Sequence, residues 1–185
     1  MRWRCGLPRM RVIAGAYKGR RLTAPAGPST RPTSDRVREA LFSILGDVSG
    51  LRVLDLFAGS GALGIEALSR GAAEAVFVES GRRAAAAIAA NLRAVGDPPA
   101  TVRSEDALAF LQRARGQAYD LVFADPPYSS ATRLGERLSA LLPNVLHEDS
   151  LTVTESDKRA PLYLHMPLVD ERTYGDTRIA IHRGV

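Results

Sequence analysis

Cysteine is almost missing from this chain of 185 residues: Cys5 stands alone. One thiol excludes an internal disulfide and any multi-cysteine zinc site. There are three histidines, His147, His165 and His182, and their scatter offers no ligand spacing for a metal. No apolar run approaches the ~20 residues of a membrane-spanning helix. The basic opening MRWRCGLPRMR is not followed by the apolar stretch of a secretory signal. Lysine is scarce as well, two residues against 23 arginines, while alanine is abundant, a pattern that looks like a coding bias. These absences lead to the expectation of a cytoplasmic, reducing location, no membrane and no metal; a monomer is expected separately.

What is present suits one globular domain with a small appendage. Hydrophobic residues make up 45% and charged residues 24%. A chain of this length buries roughly 70% of its unfolded surface and needs no covalent staple. The net charge of +5 is unevenly placed. Residues 1–50 carry ten basic and three acidic side chains, a local charge of +7, and the remainder is −2. A basic block on a nearly neutral domain fits a polyanionic partner such as nucleic acid, although a solvated tail has the same composition.

Residues 1–9 read as an unstructured leader, and either Met1 or Met10 could begin the chain. RVIA and RRLT around GAYKG read as two short strands of a hairpin, and APAGPSTRPT as a linker. SDRVREALFSIL reads as a helix capped by Ser34, with Val37, Leu41, Ile44 and Leu45 as its apolar stripe. From Leu51 onward strand and helix patterns alternate: RVLDLF, GALGIEALSR, AVFVES, RRAAAAIAANLRAV, ATVRS, ALAFLQRAR, YDLVFAD, a helix within 131–142, and SLTVTES. VDERTY and TRIAIHR around Gly175-Asp176 read as a terminal hairpin. Repeated βα units predict a mostly parallel α/β sheet with helices on both faces. Ligands of such sheets bind beyond the carboxyl ends of the strands.

The first strand runs into Asp55-Leu56-Phe57-Ala58-Gly59-Ser60-Gly61-Ala62-Leu63-Gly64, where Gly59, Gly61 and Gly64 match G-x-G-x-x-G. Alone that motif fits a dinucleotide as well as another nucleoside. Asp55 separates them, since a carboxylate at the strand end repels a pyrophosphate and welcomes a cofactor carrying ammonium and sulfonium charges. S-adenosylmethionine is such a cofactor. Asp55 could instead be held by the loop's own amides. Glu79 ends the second strand, where it can accept ribose hydroxyls or be an ordinary surface acid. Asp106 follows the third strand, where it can take an adenine amine beside the backbone of Ala107, cap the next helix, or both.

Asp125-Pro126-Pro127-Tyr128 follows the fourth strand. Two prolines stiffen the turn and free carbonyls from the ladder. A carboxylate, a carbonyl and an aromatic face then suit a planar exocyclic amine, whose N–H groups need acceptors and whose ring can stack on Tyr128. A plain proline turn with a packed tyrosine is the alternative.

At these residues the chain resembles the class I S-adenosylmethionine-dependent methyltransferases. VLDLFAGSGALG resembles their first motif, Glu79 their acid after the second strand, and DPPY the signature of enzymes that methylate adenine N6, cytosine N4, guanine N2 or glutamine N5. RVIAGAYKGRRL with RPTSDRVREALFSIL is similar to the RsmD family over about residues 10–183. The resemblance implies a Rossmann-like, seven-stranded fold over 34–185, preceded by a basic hairpin and linker over 10–33. It implies methyl transfer to guanine N2 in 16S ribosomal RNA of the small subunit or its assembly intermediate, at guanine 966 in the family's RNA numbering. The implied cofactor contacts are Asp55, Phe57, Gly59, Gly61, Glu79, Asp106, Ala107 and Asp125, and the implied chemical loop is Asp125, Pro126, Pro127 and Tyr128. Arg31, Thr33 and Asp35 would flank the pocket, or only space and cap the helix. Arg11, Lys18, Arg20 and Arg21 are RNA candidates, and Arg36 and Arg38 touch phosphate or are solvated.

Other readings are a DNA adenine or protein glutamine methyltransferase, and an inactive nucleic-acid module. Glutamine enzymes usually carry Asn in place of Asp125, and 185 residues leave little room for a separate DNA-recognition region. An inactive module leaves the acids at successive strand ends unexplained. Asp55 and the lack of a hydride-site acid or base disfavour a dehydrogenase.

Overall fold

In the computed structural model, which describes residues 10–25, 34–126 and 131–184, strands and helices alternate as the hydrophobic pattern requires. Helix α1 (Asp35–Leu45) precedes β1 (Arg52–Leu56), α2 (Ala62–Ser69), β2 (Glu74–Val78), α3 (Arg82–Val95), β3 (Ala100–Arg103), α4 (Ala107–Arg113), β4 (Leu121–Ala124) and α5 (Ala131–Leu141). Then come β5 (Leu151–Asp157), β6 (Leu168–Tyr174) and β7 (Thr177–Arg183). They build one seven-stranded sheet in the order β3-β2-β1-β4-β5-β7-β6. Strands β1 to β5 run parallel, and β7 lies antiparallel to both β5 and β6. This is the expected mostly parallel α/β sheet with a terminal hairpin.

The order reverses between β1 and β4, which is the crevice where such sheets bind ligands. Both strands are buried on both faces beyond the exposed Arg52, and β4 is an unbroken apolar run that β1 matches except at Asp55. One core lies under α1, α2 and α3, and includes Val53, Phe77, Phe123 and Val153 from the sheet. The other lies under α4 and α5, around Leu54, Leu56, Val122 and Ala124. Among the described residues no helix is long and apolar enough to cross a membrane.

Helix α1 starts as its sequence requires: Ser34 Oγ accepts the Val37 N–H at 3.3 Å. Its buried face, however, is Val37, Arg38, Leu41 and Phe42, with Ile44 and Leu45 only half-buried. The stripe is rotated because Arg38 has a buried acid to meet. Glu66 on α2 is fully enclosed, and its carboxylate lies 3.8 Å from Arg38 Nε and 2.8 Å from Arg70 Nε. The Arg70 guanidinium also covers the Phe42 ring at 4.7 Å.

The same acid anchors the amino-terminal segment. Ile13 and Ala14 N–H groups donate to its two oxygens at 2.7 and 3.0 Å. Ser69 accepts from Tyr17 N through its side chain and from Ala16 N through its carbonyl. Gly15 passes so close that a Cβ there would lie 1.8 Å from the Ser69 carbonyl. Met10, Val12 and Leu22 sit in the α1–α3 core. The two strands expected around GAYKG therefore shrink to a single bridge between Arg11 and Arg21, because side chains of α2 take donors that a longer ladder would use.

Candidate active site

Strand β1 delivers Asp55 to the switch point, one residue before its end. The chain then turns sharply. Phe57 has φ 58°, a left-handed conformation that costs a bulky residue energy, followed by Gly59 at 57° and Gly61 at 76°. Gly64 lets α2 press against the sheet, since a Cβ there would lie 2.4 Å from the Phe77 ring. A Cβ on Gly59, by contrast, would have only the Phe57 carbonyl within 4 Å, at 3.9 Å. The loop is thus packed tightly beneath and open at Gly59.

Asp55 is buried, and its Oδ2 accepts the Gly64 N–H at 3.0 Å. Burial pushes its pKa up to about 8, the Gly64 bond opposes the shift, and Glu79 adds to it. The loop amide contact weighed from sequence is therefore present, and it coexists with a carboxyl group at the strand end. Glu79 is half-buried and braces the loop on both sides, with Oε2 accepting Gly59 N–H at 2.9 Å and Oε1 accepting Gly81 N–H at 2.6 Å. Each carboxylate oxygen has a second lone pair, so ribose hydroxyls remain chemically compatible with it. Asp106 caps α4 through Ala109 N–H at 2.9 Å, and Ala107 is buried behind it.

Asp125 follows β4 directly. Burial raises its pKa well above the ordinary carboxylate value, and Glu155 and Asp55 raise it further. Asp125 therefore stands near carboxyl groups from both neighbouring strands, Asp55 on β1 and Glu155 on β5, at the sheet's carboxyl edge. Pro126 is buried. Pro127, Tyr128, Arg31 and Thr33 lie outside the described residues.

Sequence reasoning missed Glu155 and Asn91. Glu155 closes the strand pattern SLTVTES just as Asp55 and Glu79 close theirs, and that parallel was the available signal. Asn91 is buried in the alanine-rich α3 and ties two segments together: its amide bonds Thr23 N and O at 2.8 and 3.0 Å and the Ser60 carbonyl at 2.9 Å. A lone Asn in an apolar pattern was its only trace.

The basic candidates divide. Lys18, Arg20, Arg21 and Arg36 are exposed, and Arg11 is exposed but paired with Asp35 at 3.2 Å. Arg38 is neither solvated nor available to phosphate, which corrects the expectation for it. It is fully buried, bonded to Asp35 at 3.0 Å and to the Arg11 carbonyl, and burial lowers its pKa. Helical spacing alone could not reveal that α2 holds an acid opposite it.

The donor set fits S-adenosylmethionine better than a dinucleotide. Asp125 is pushed toward its neutral form by burial and by two other acids, and a cationic ligand relieves that cost whereas a pyrophosphate adds to it. Asp55, Glu79, Asp106 and the open flank at Gly59 are the groups able to hold it.

The family model described as Conserved hypothetical protein 95 matches residues 10–183. Ribosomal RNA small subunit methyltransferase D of Escherichia coli K12 is 40% identical over 154 residues, covering 82% of this chain and 77% of the relative. Its namesake from Haemophilus influenzae is 36% identical over 174 residues, 90% of this chain and 89% of the relative. A solved structure of a hypothetical protein from Thermus thermophilus superposes with a TM-score of 0.82 at 34% identity, covering 94% of this chain and 99% of that one.

Proposed function

Because the chain belongs to the family described as Conserved hypothetical protein 95, we propose that it transfers a methyl group from S-adenosylmethionine to the exocyclic N2 of a guanine in 16S ribosomal RNA, guanine 966 in the family's RNA numbering. The observation that carries this reading is the gathering of the carboxyl groups Asp55, Glu79 and Asp125 at the carboxyl ends of β1, β2 and β4, beside the β1/β4 switch point. It asks for a cation and an amine, and methylation of an amine by a sulfonium compound brings both.

When bound, S-adenosylmethionine supplies an electrophilic methyl whose C–S bonding pair returns to sulfur as the new C–N bond forms. Asp55 faces the cationic part of the cofactor. Glu79 receives the ribose hydroxyls while keeping Gly59 and Gly81 in place. Asp106 and Ala107 receive the adenine. Asp125 accepts an N–H of the target amine, which turns the nitrogen lone pair toward the methyl, a gain mainly of positioning. Its raised proton affinity suits it to hold the proton that the amine sheds after transfer. Pro126, Pro127 and Tyr128 complete the proposed chemical loop. Lys18, Arg20 and Arg21, with Arg31, Thr33 and Arg36, hold the RNA of the small subunit or its assembly intermediate.

The test is methyl transfer onto small ribosomal subunits from a strain lacking this enzyme, followed by digestion to nucleosides and mass spectrometry. N2-methylguanosine is expected. N6-methyladenosine, or a methylated protein and no methylated nucleoside, points to the other amine-methylating readings and overturns this one.

A further inference from the structure

Glu155 has no part in the cofactor and amine contacts assigned so far, yet its placement is specific. The last paired residues of β4 and β5 are Ala124 and Thr154, so Asp125 and Glu155 are the next residue on each strand. Neighbouring strands run about 4.8 Å apart, and side chains in lateral register emerge on the same face. That face also carries Phe123 and Val153, from the core under α1–α3, and Asp55, which is registered with Phe123. Glu155 is 4% exposed, flanked by β4 on one side and β7 on the other. Its charge is one of the causes that raise the Asp125 pKa, so the two carboxyl groups are close. Two neighbouring acids at one edge offer paired acceptors to a ligand carrying two adjacent N–H donors.

We propose that Glu155 determines base specificity by accepting the N1–H of the target guanine while Asp125 accepts an N–H of the adjacent N2 amine. The inference rests on the guanine-N2 reading above. The Watson–Crick edge of guanine is the purine edge that sets a ring N–H beside an exocyclic amine, so two neighbouring carboxylates match it. Adenine offers an amine beside a bare ring nitrogen, and cytosine does likewise. Against either base Glu155 would face a lone pair instead of a donor, a buried mismatch of the kind that gives strong discrimination. Asp125 alone selects an amine, and the pair selects guanine.

The test uses 2-aminopurine, which keeps the N2 amine and lacks the N1–H. Small subunits are reconstituted with 16S RNA carrying guanine or 2-aminopurine at the position that the wild-type enzyme methylates. The two particles are mixed and compete for the same enzyme. The ratio of products is then independent of how much enzyme is folded, so a poorly folding variant still reports. The wild type is expected to prefer guanine by roughly 10- to 100-fold or more, the range for a charge-assisted hydrogen bond. Glu155→Gln can present an amide N–H to the bare N1, and the preference should collapse toward unity or invert. Glu155→Ala should lose the preference as well, with no gain on 2-aminopurine. A ratio unchanged in both variants overturns the role of Glu155 while leaving the guanine-N2 reading standing. A wild-type enzyme that methylates another atom overturns that reading and this role together.

Discussion

Asp55 couples function to pH at the scale of a single residue. An acid with a native pKa of about 8 keeps its proton in the folded chain after the unfolded chain, near 3.8, has lost it. Its contribution to stability is complete below pH 4 and is lost as pH rises toward 8. Asp55→Asn removes that loss, so the cofactor-free variant should melt higher than the wild type at pH 8 and no higher at pH 4, as calorimetry can check. The same variant should lose S-adenosylmethionine binding, because the amide cannot face a cation with a charge. In the wild type, affinity should rise with pH up to about 8, and binding near neutrality should release protons, visible as a dependence of titration enthalpy on the buffer's ionisation heat. Asp125 is the acid proposed to hold the target amine. Asp125→Ala should cut turnover by ~10²–10⁴, the range for a positioned proton acceptor, in a single-turnover assay at saturating cofactor. Near-normal turnover would show that the amine is held elsewhere.

Two elements are fastened by acids, one half-buried and one fully enclosed. Glu79 joins the glycine loop to the start of α3 through Gly59 and Gly81. Glu79→Ala frees both amides and removes the proposed ribose acceptor, so cofactor affinity should fall about tenfold or more in calorimetric titration. Glu66 plays the equivalent part between α1, α2 and the segment from Met10 to Thr23. Glu66→Ala leaves the enclosed Arg38 with the half-buried Asp35 as its remaining carboxylate and the Ile13 and Ala14 amides without acceptors. Breaking a buried pair on one side costs about 3–5 kcal/mol. Denaturant titration should show a loss of that size, and replacing Arg38 by Met in the same chain should recover part of it.

Over the whole molecule, the amino-terminal charge of +7 is less available than a count implies. Arg38 is inside, and Arg11 leans on Asp35. Lys18, Arg20 and Arg21 remain exposed on the docked segment. If each contacts one phosphate, replacing all three should flatten the slope of log affinity against log salt by about two to three units, at ~0.7–0.9 counterions per contact. Filter binding to ribosomal RNA across a salt series measures it. An unchanged slope would make these charges solvating only and move the RNA surface to Arg36 and the residues around Tyr128.

The order of strands and helices, the mostly parallel sheet, the glycine turn, and the acids at the ends of β1, β2 and β4 were legible in the residues. Each follows from local rules: apolar period, glycine where φ is positive, an acid where a strand ends. The environment of Arg38 was not legible. Its place on α1 looked polar until Glu66, 28 positions away, met it inside. The hairpin read around GAYKG was legible as a reversal but not as a docked one, because what binds it are Glu66 and Ser69 on another element. The pairing of Asp125 with Glu155 depends on the register of β4 against β5, two strands separated by a helix in the chain. Residue chemistry and local period are written along the sequence. Which buried charge meets which depends on strand order and packing, and those exist only once the chain has folded.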